Sequence, residues 1–210
     1  MNKVLLVIGF AAASLILGVL LWSWQQSRLA SSRLPDAQAA TVLPQPRSLP
    51  AFTLTDHQGR AFGPEQLRGH WSLLFFGFTR CPDICPNTLG LLQAVSAALR
   101  QEDHPAADGL QVVFVSVDPR HDSPAALKSY VEYFDPAFLG VTGPEPELRK
   151  LTGSLYMPYT YVPVGQAGDY TVEHSGALVL LNPQAQAVAY FSPPLRAASI
   201  VDDLRRLLRS

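Results

Sequence analysis

The chain has 210 residues, 48% of them hydrophobic and 16% charged, with a formal net charge of −1. That balance fits one or at most two packed domains, and the absence of any basic cluster argues against a nucleic-acid partner. Only two cysteines are present, too few for a disulfide scaffold, whereas one close pair is what a redox or metal motif looks like.

Residues 1–3 form a short flank, and residues 4–22 carry no charge. About 20 apolar helical residues cross a hydrocarbon core. A cleaved signal has a shorter apolar region with a small-residue cleavage site close behind it, and no such site follows here. We therefore read residues 4–22 as an uncleaved transmembrane anchor, with Trp22 and Trp24 at the interface. Lys3 against Arg28 and Arg33 leaves its orientation open by charge. Residues 23–50, rich in Ser, Ala, Gln and Pro, read as a flexible tether. Its extended reach is up to about 90 Å at about 3.3 Å per residue.

The globular domain is expected over residues 51–210. A β-hairpin turns at Gly59. Residues 71–78 are a nearly continuous apolar run, which predicts a strand buried on both faces. Residues 86–101 place Leu89, Leu92, Val95 and Leu99 at helical spacing, with Pro86 in a first turn that tolerates it. A second buried strand follows at 111–117 and a helix at 124–134. Further on come a short strand at 138–141, a helix at 144–155 and strands at 159–164 and 177–181. A closing hairpin strand at 187–191 precedes an amphipathic helix at 197–208. Buried strands joined by helices imply parallel pairing with right-handed crossovers. The fold class is therefore α/β: a thioredoxin-like mixed sheet flanked by helices, preceded by an N-terminal transmembrane helix.

Cys81 and Cys85 stand between the first long strand and its helix. If that segment is helical, positions i and i+4 share a face, with Cβ atoms roughly 5–6 Å apart. The sulfurs can then converge on one metal ion or oxidise to a disulfide. A helix N-terminus should also favour the thiolate. Pro82 and Pro86 stiffen the loop. A thiolate pair suits soft ions such as Cu(I) or Zn(II) and needs a further ligand, usually His. Of five histidines, His57, His70, His104 and His121 sit in turns and polar loops where surface placement is expected. His174 precedes a strongly apolar strand, which places it on a loop able to pack near the helix start. As a ligand or as a hydrogen-bonded loop residue, it reads equally well. Asp118 reads as a turn residue with a possible place beside the site, and Met157 as a packing residue.

At G-F-T-R-C-P-D-I-C-P, V-S-V-D-P-R-H-D-S-P and V-E-H-S the sequence resembles the Sco/SenC family of copper chaperones for cytochrome c oxidase assembly, from about residue 52 to the C-terminus. The resemblance implies a membrane-tethered domain in the periplasm or the mitochondrial intermembrane space. It also implies a copper ion held by Cys81, Cys85 and His174. The implied partners are cytochrome c oxidase subunit II, whose CuA centre would receive the copper, and other copper chaperones or thiol reductants. Arg80, His121 and Glu173 depart from the family's usual residues, and none of these departures removes a ligand.

Two further readings use the same dithiol. A thiol–disulfide oxidoreductase would keep the cysteines of the oxidase subunit reduced and would not need His174. A peroxidase of the peroxiredoxin type is the third, because F-T-R-C-P also resembles such sites.

Overall fold

The computed structural model describes residues 14–19, 22, 39–101, 110–165 and 168–208. The chain divides into two units, Met1–Asp36 and Ala37–Ser210. In the first, the described residues are helical and exposed. Most of the expected anchor at 4–22, and the tether as far as residue 38, lie outside the described residues. Among those residues, no helix is long and apolar enough to cross a membrane.

The second unit is built on an eight-stranded sheet. Its strands are β1 (Ala40–Ser48), β2 (Leu54–Asp56), β3 (Ala61–Phe62), β4 (Trp71–Gly77), β5 (Leu110–Ser116), β6 (Leu139–Thr142), β9 (Leu178–Leu181) and β10 (Gln186–Phe191). They lie in the order β1-β10-β9-β4-β5-β6-β2-β3. Pairing is parallel for β4 with β5 and β5 with β6, and antiparallel elsewhere. Strands β7 (Tyr159–Pro163) and β8 (Tyr170–His174) form a separate antiparallel hairpin. The helices are α1 (Ile84–Gln101), α2 (Pro124–Phe134), α3 (Glu145–Ser154) and α4 (Ala197–Leu207).

The apolar runs explain the layering. Successive strand residues point to opposite faces, so β4 and β5 each feed two cores. Leu74, Phe76, Val113 and Val115 join one core with Leu148 and Leu151 of α3 and with Tyr159 and Val172 of the separate hairpin. Leu73, Phe75, Val112 and Phe114 join the other with Leu89, Leu92, Val95 and Leu99 of α1, Leu127 and Val131 of α2, and Ile200 and Leu204 of α4. The helix α1 therefore buries the face its spacing predicts. Met157 packs in the first core, as expected of a packing residue. At the β2–β3 turn Gly59 has φ +81°, which glycine adopts at little cost.

Two expectations are corrected. The sheet begins at Ala40, so residues 40–48 are not tether. β1 runs along β10, with its register shifting between Val42 and Arg47, the stretch that holds Pro44 and Pro46. At a sheet edge Pro is tolerated because its missing N–H leaves no ladder bond unmade. The backbone N–H groups of Ala39 and Ala40 both donate to the buried Asp203 carboxylate at 2.8 Å, which pins the strand's start to α4. His174, expected on a loop, is instead the last residue of β8, opposite Tyr159.

Candidate metal centre

The first half of the site is the connection from β4 to α1. Cys81 precedes the helix and Cys85 is its second residue. The i, i+4 helical geometry therefore does not place the pair. A turn does, with the Cys81 N–H donating to the Phe78 carbonyl at 3.2 Å. Pro86 falls in the first turn, where its missing N–H has no helical partner to lose. Asn87 bonds back to Asp83 through side chain and backbone. The sulfur of Cys85 is sunk against the strand: a Cβ at Gly77 would stand 2.5 Å from it and 2.9 Å from the Phe114 ring. Gly77 is thus required for close approach, not for an unusual backbone angle.

The second half is the β7–β8 hairpin, which brings in His174 from 89 positions away. Its Nε2 lies 3.5 Å from the Cys85 Sγ, and its Nδ1 faces the Ser175 carbonyl at 3.1 Å. The rings of Phe75 and Phe78 pack against the imidazole in edge-to-face pairs. Potential ligand atoms of Cys81, Cys85 and His174 lie within 4.8 Å of one another. Ligand bonds of about 2.0–2.3 Å span at most about 4.6 Å between two donors. A soft ion therefore needs only a slight closure of the site.

Electrostatics separate the free dithiol from the loaded one. Burial pushes the Cys85 thiol well above its ordinary value, with a backbone hydrogen bond at Phe78 opposing and the neighbouring Cys81 adding to the rise. The thiolate expected from the helix N-terminus is therefore overridden at Cys85 by desolvation. A bound cation reverses this balance because its charge compensates the thiolate. Burial lowers the His174 pKa, although the Ser175 and Phe76 carbonyls pull the other way. The imidazole is thereby kept neutral and available as a ligand. Both thiols are free.

The loop after β5 borders the site with two fully buried carboxylates, Asp118 and Asp122. Asp122 accepts from the Thr79 backbone N–H at 2.9 Å, the Thr79 hydroxyl at 2.5 Å and the Ser116 hydroxyl at 2.5 Å. Asp118 accepts from the Tyr170 hydroxyl at 2.5 Å. It also faces His121 Nδ1 at 2.9 Å and Arg80 Nη2 at 3.4 Å. The Tyr170 phenol is pushed up to about 12 by burial and by its bond to the Asp118 charge, so it remains a donor. Sequence reasoning reached Asp118 but passed over Asp122, Thr79 and Tyr170. The D-P-R-H-D spacing was the available signal.

The remaining described histidines stay apart from the site. His70 is exposed, and His104 lies outside the described residues. His121 is at the surface but bonded to Asp118. His57 contradicts its expected surface placement: it is 5% exposed and its Nδ1 accepts from the Gly140 N–H at 2.9 Å. That bond satisfies a buried backbone group and ties the β2–β3 turn to β6.

Comparison with known proteins agrees with this geometry. The SCO1/SenC family model matches residues 41–209. The mitochondrial SCO2 homolog of Bos taurus is 40% identical over 155 residues, 74% of this chain and 58% of that protein, so the chain spans little more than half of that relative's length. Among solved structures, Arabidopsis thaliana ScoI with copper bound superposes with TM-score 0.70 at 31% identity, covering 76% of this chain and 97% of that one. Yeast Sco1 with copper bound has TM-score 0.70 at 33% identity, covering 78% and 90%. With its dithiol, its imidazole and its mixed sheet in the arrangement described above, the chain belongs to the SCO1/SenC family.

Proposed function

We propose that this chain is a copper metallochaperone for cytochrome c oxidase assembly and that Cys81, Cys85 and His174 hold the copper. The observation that carries the reading is the convergence of two sulfurs and one imidazole nitrogen from two separate parts of the fold. Two thiolates and a neutral imidazole form a soft donor set suited to Cu(I). Copper-bound structures of the yeast and Arabidopsis relatives support the choice of metal. Three protein ligands leave room for an acceptor thiolate to join before a donor leaves, which is what transfer by ligand exchange requires. Cys81, only part-buried, is the sulfur that an acceptor can reach. Loading displaces the thiol protons, so both cysteines must be reduced beforehand.

In this reading residues 1–3 flank a membrane anchor at 4–22, a tether follows, and the copper domain occupies the periplasm or the mitochondrial intermembrane space. The recipient is the CuA centre of oxidase subunit II, and other copper chaperones or thiol reductants supply the metal or the electrons. An exposed Ile84 lines an apolar groove of about 330 Å³ together with Leu91, Gly176, Pro193 and Leu195. Because Ile84 adjoins Cys85, an acceptor docked at the sulfurs would meet this surface.

The free thiols also support a second reading as a thiol–disulfide oxidoreductase. Cys81 and Cys85 would close a disulfide and pass two electrons and two protons to a client disulfide, and a dithiol reductant would then restore them. Copper stoichiometry and affinity of the reduced protein separate the two. About one Cu(I) per chain is expected, lost in Cys81→Ser, Cys85→Ser and His174→Ala, whereas disulfide reduction survives His174→Ala. A reduced wild-type protein that holds no copper would defeat the chaperone reading and leave the dithiol one.

A further inference from the structure

The two halves of the site belong to different sheets. His174 rides on a hairpin that makes no ladder hydrogen bonds to the eight-stranded sheet; residues 175–177 join its end to β9, and side chains hold the rest of the hairpin in place. Those side chains meet on one short loop. Asp118 and Asp122, both fully buried, are held as a turn by the Asp118 carbonyl, which accepts from the His121 N–H at 3.1 Å and the Asp122 N–H at 3.0 Å. Asp122 grips the dithiol side through Thr79, two residues ahead of Cys81. Asp118 grips the imidazole side through the Tyr170 hydroxyl, at the opposite end of the strand from His174. Just ahead of it, the Val117 carbonyl accepts from the Tyr161 hydroxyl at 2.9 Å. Arg80 closes the arrangement. Its guanidinium reaches His121 at 2.9 Å and Asp118 at 3.4 Å and sits 5.6 Å from the Tyr170 ring centroid.

We infer that the Asp118–Asp122 loop is a two-sided clamp, with Tyr170 positioning the imidazole and Thr79 positioning the dithiol, so that the three ligands are pre-set for a metal ion. The physical basis is preorganisation. A hairpin held at the correct distance has its ordering cost met in folding, whereas a loosened one must meet it on binding. Bonds to buried carboxylates are also stronger than neutral ones. Among the described residues no hydrogen bond joins Tyr161, Tyr170 or Arg80 to a ligand atom, so they act through placement. This inference rests on the copper reading for its affinity and hyperfine arms alone.

The test uses the full chain and two variants that each remove one hydroxyl. Tyr170→Phe is expected to lower Cu(I) affinity about tenfold, the size of effect given by one charge-assisted bond. It should also weaken the nitrogen hyperfine signature of the Cu(II)-loaded protein, while the dithiol equilibrium in glutathione buffers stays within about twofold of wild type. In the metal-free variant, amide exchange along β8 should accelerate. Thr79→Val is expected to do the reverse, shifting the dithiol equilibrium and leaving β8 exchange unchanged. Unchanged β8 exchange in Tyr170→Phe overturns the clamp whether or not copper binds. So does an equal disturbance of dithiol and hairpin by both variants, which would mean a general loosening. A wild type without copper, with accelerated β8 exchange in Tyr170→Phe, removes the metal reading and leaves the clamp standing.

Discussion

The dithiol turn and the imidazole hairpin supply ligands to one candidate centre, yet they are built in opposite ways. The turn is local: five consecutive residues, two prolines and a helix start place both sulfurs, and Gly77 lets one of them sink against the strand. The hairpin is remote. It arrives from 89 positions away as a separate two-stranded unit, attached by tyrosine hydroxyls and a few buried side chains. The local half can hold a redox pair by itself, whereas in the proposed function the remote half would make that pair a metal site. In the proposed function such a split would let the chain bind its cargo and still release it, because opening the remote half would break one bond without disturbing the other two.

The sharpest way to break the comparison is to remove one ligand from each half. Cys85→Ser should lower Cu(I) affinity by more than the roughly 100-fold that loss of an outer-shell partner costs, and it should abolish disulfide formation as well. His174→Ala should cause a comparable loss of copper, with disulfide exchange intact. Competition with a chromophoric chelator and a thiol titration read the two arms. If His174→Ala disturbs the dithiol as much as the metal, the halves are not separable.

A smaller effect tests the rigidity of the local half. In Gly77→Ala the new methyl would meet the Cys85 sulfur at 2.5 Å and the Phe114 ring at 2.9 Å. Overpacking of this kind costs about 1–3 kcal/mol. A lower melting temperature together with weaker copper binding is expected, and wild-type values for both would show that the strand can yield. Asp203→Ala serves as a remote control. It orphans two backbone N–H groups at the start of β1, at a cost of about 2–3 kcal/mol. Thermal unfolding should register this while copper affinity stays unchanged.

The smallest effect concerns acid. Asp56 is buried, which by itself would raise its pKa. Hydrogen bonds from Arg60 and Gln58 outweigh the effect of burial and hold the carboxyl below its ordinary value of 3.8. A depressed carboxylate stabilises the fold above its unfolded pKa, and that stability disappears as pH falls through the folded value. Asp56→Asn should therefore flatten the loss of stability below about pH 4, measured by denaturant unfolding across pH. An unchanged slope would mean that other carboxylates govern acid sensitivity.

Legibility in the sequence followed the same divide. Runs such as W-S-L-L-F-F-G and the Leu89–Leu92–Val95–Leu99 spacing announced the central strand and its helix, because burial there depends on neighbours close in the chain. β1 was read as tether because A-T-V-L-P-Q-P-R-S carries two prolines and little apolar character. Only its edge position beside β10 makes such a strand possible. β8 was missed for a similar reason: of its residues only Val172 is buried, and its partner β7 supplies the rest of the order. The thiolate expected at Cys85 failed because a helix N-terminus can be read from a motif, whereas the depth of a sulfur cannot.

The sequence by itself therefore determined the dithiol, the strand and helix that frame it, and the identity of the candidate third ligand by resemblance. Only the tertiary structure decided that His174 reaches the sulfurs, that its hairpin is held through Asp118 and Tyr170, and that burial keeps the Cys85 thiol protonated. The physical reason is range. Periodicity and turn chemistry act over a few residues, while burial and the meeting of distant side chains depend on where the whole sheet places them.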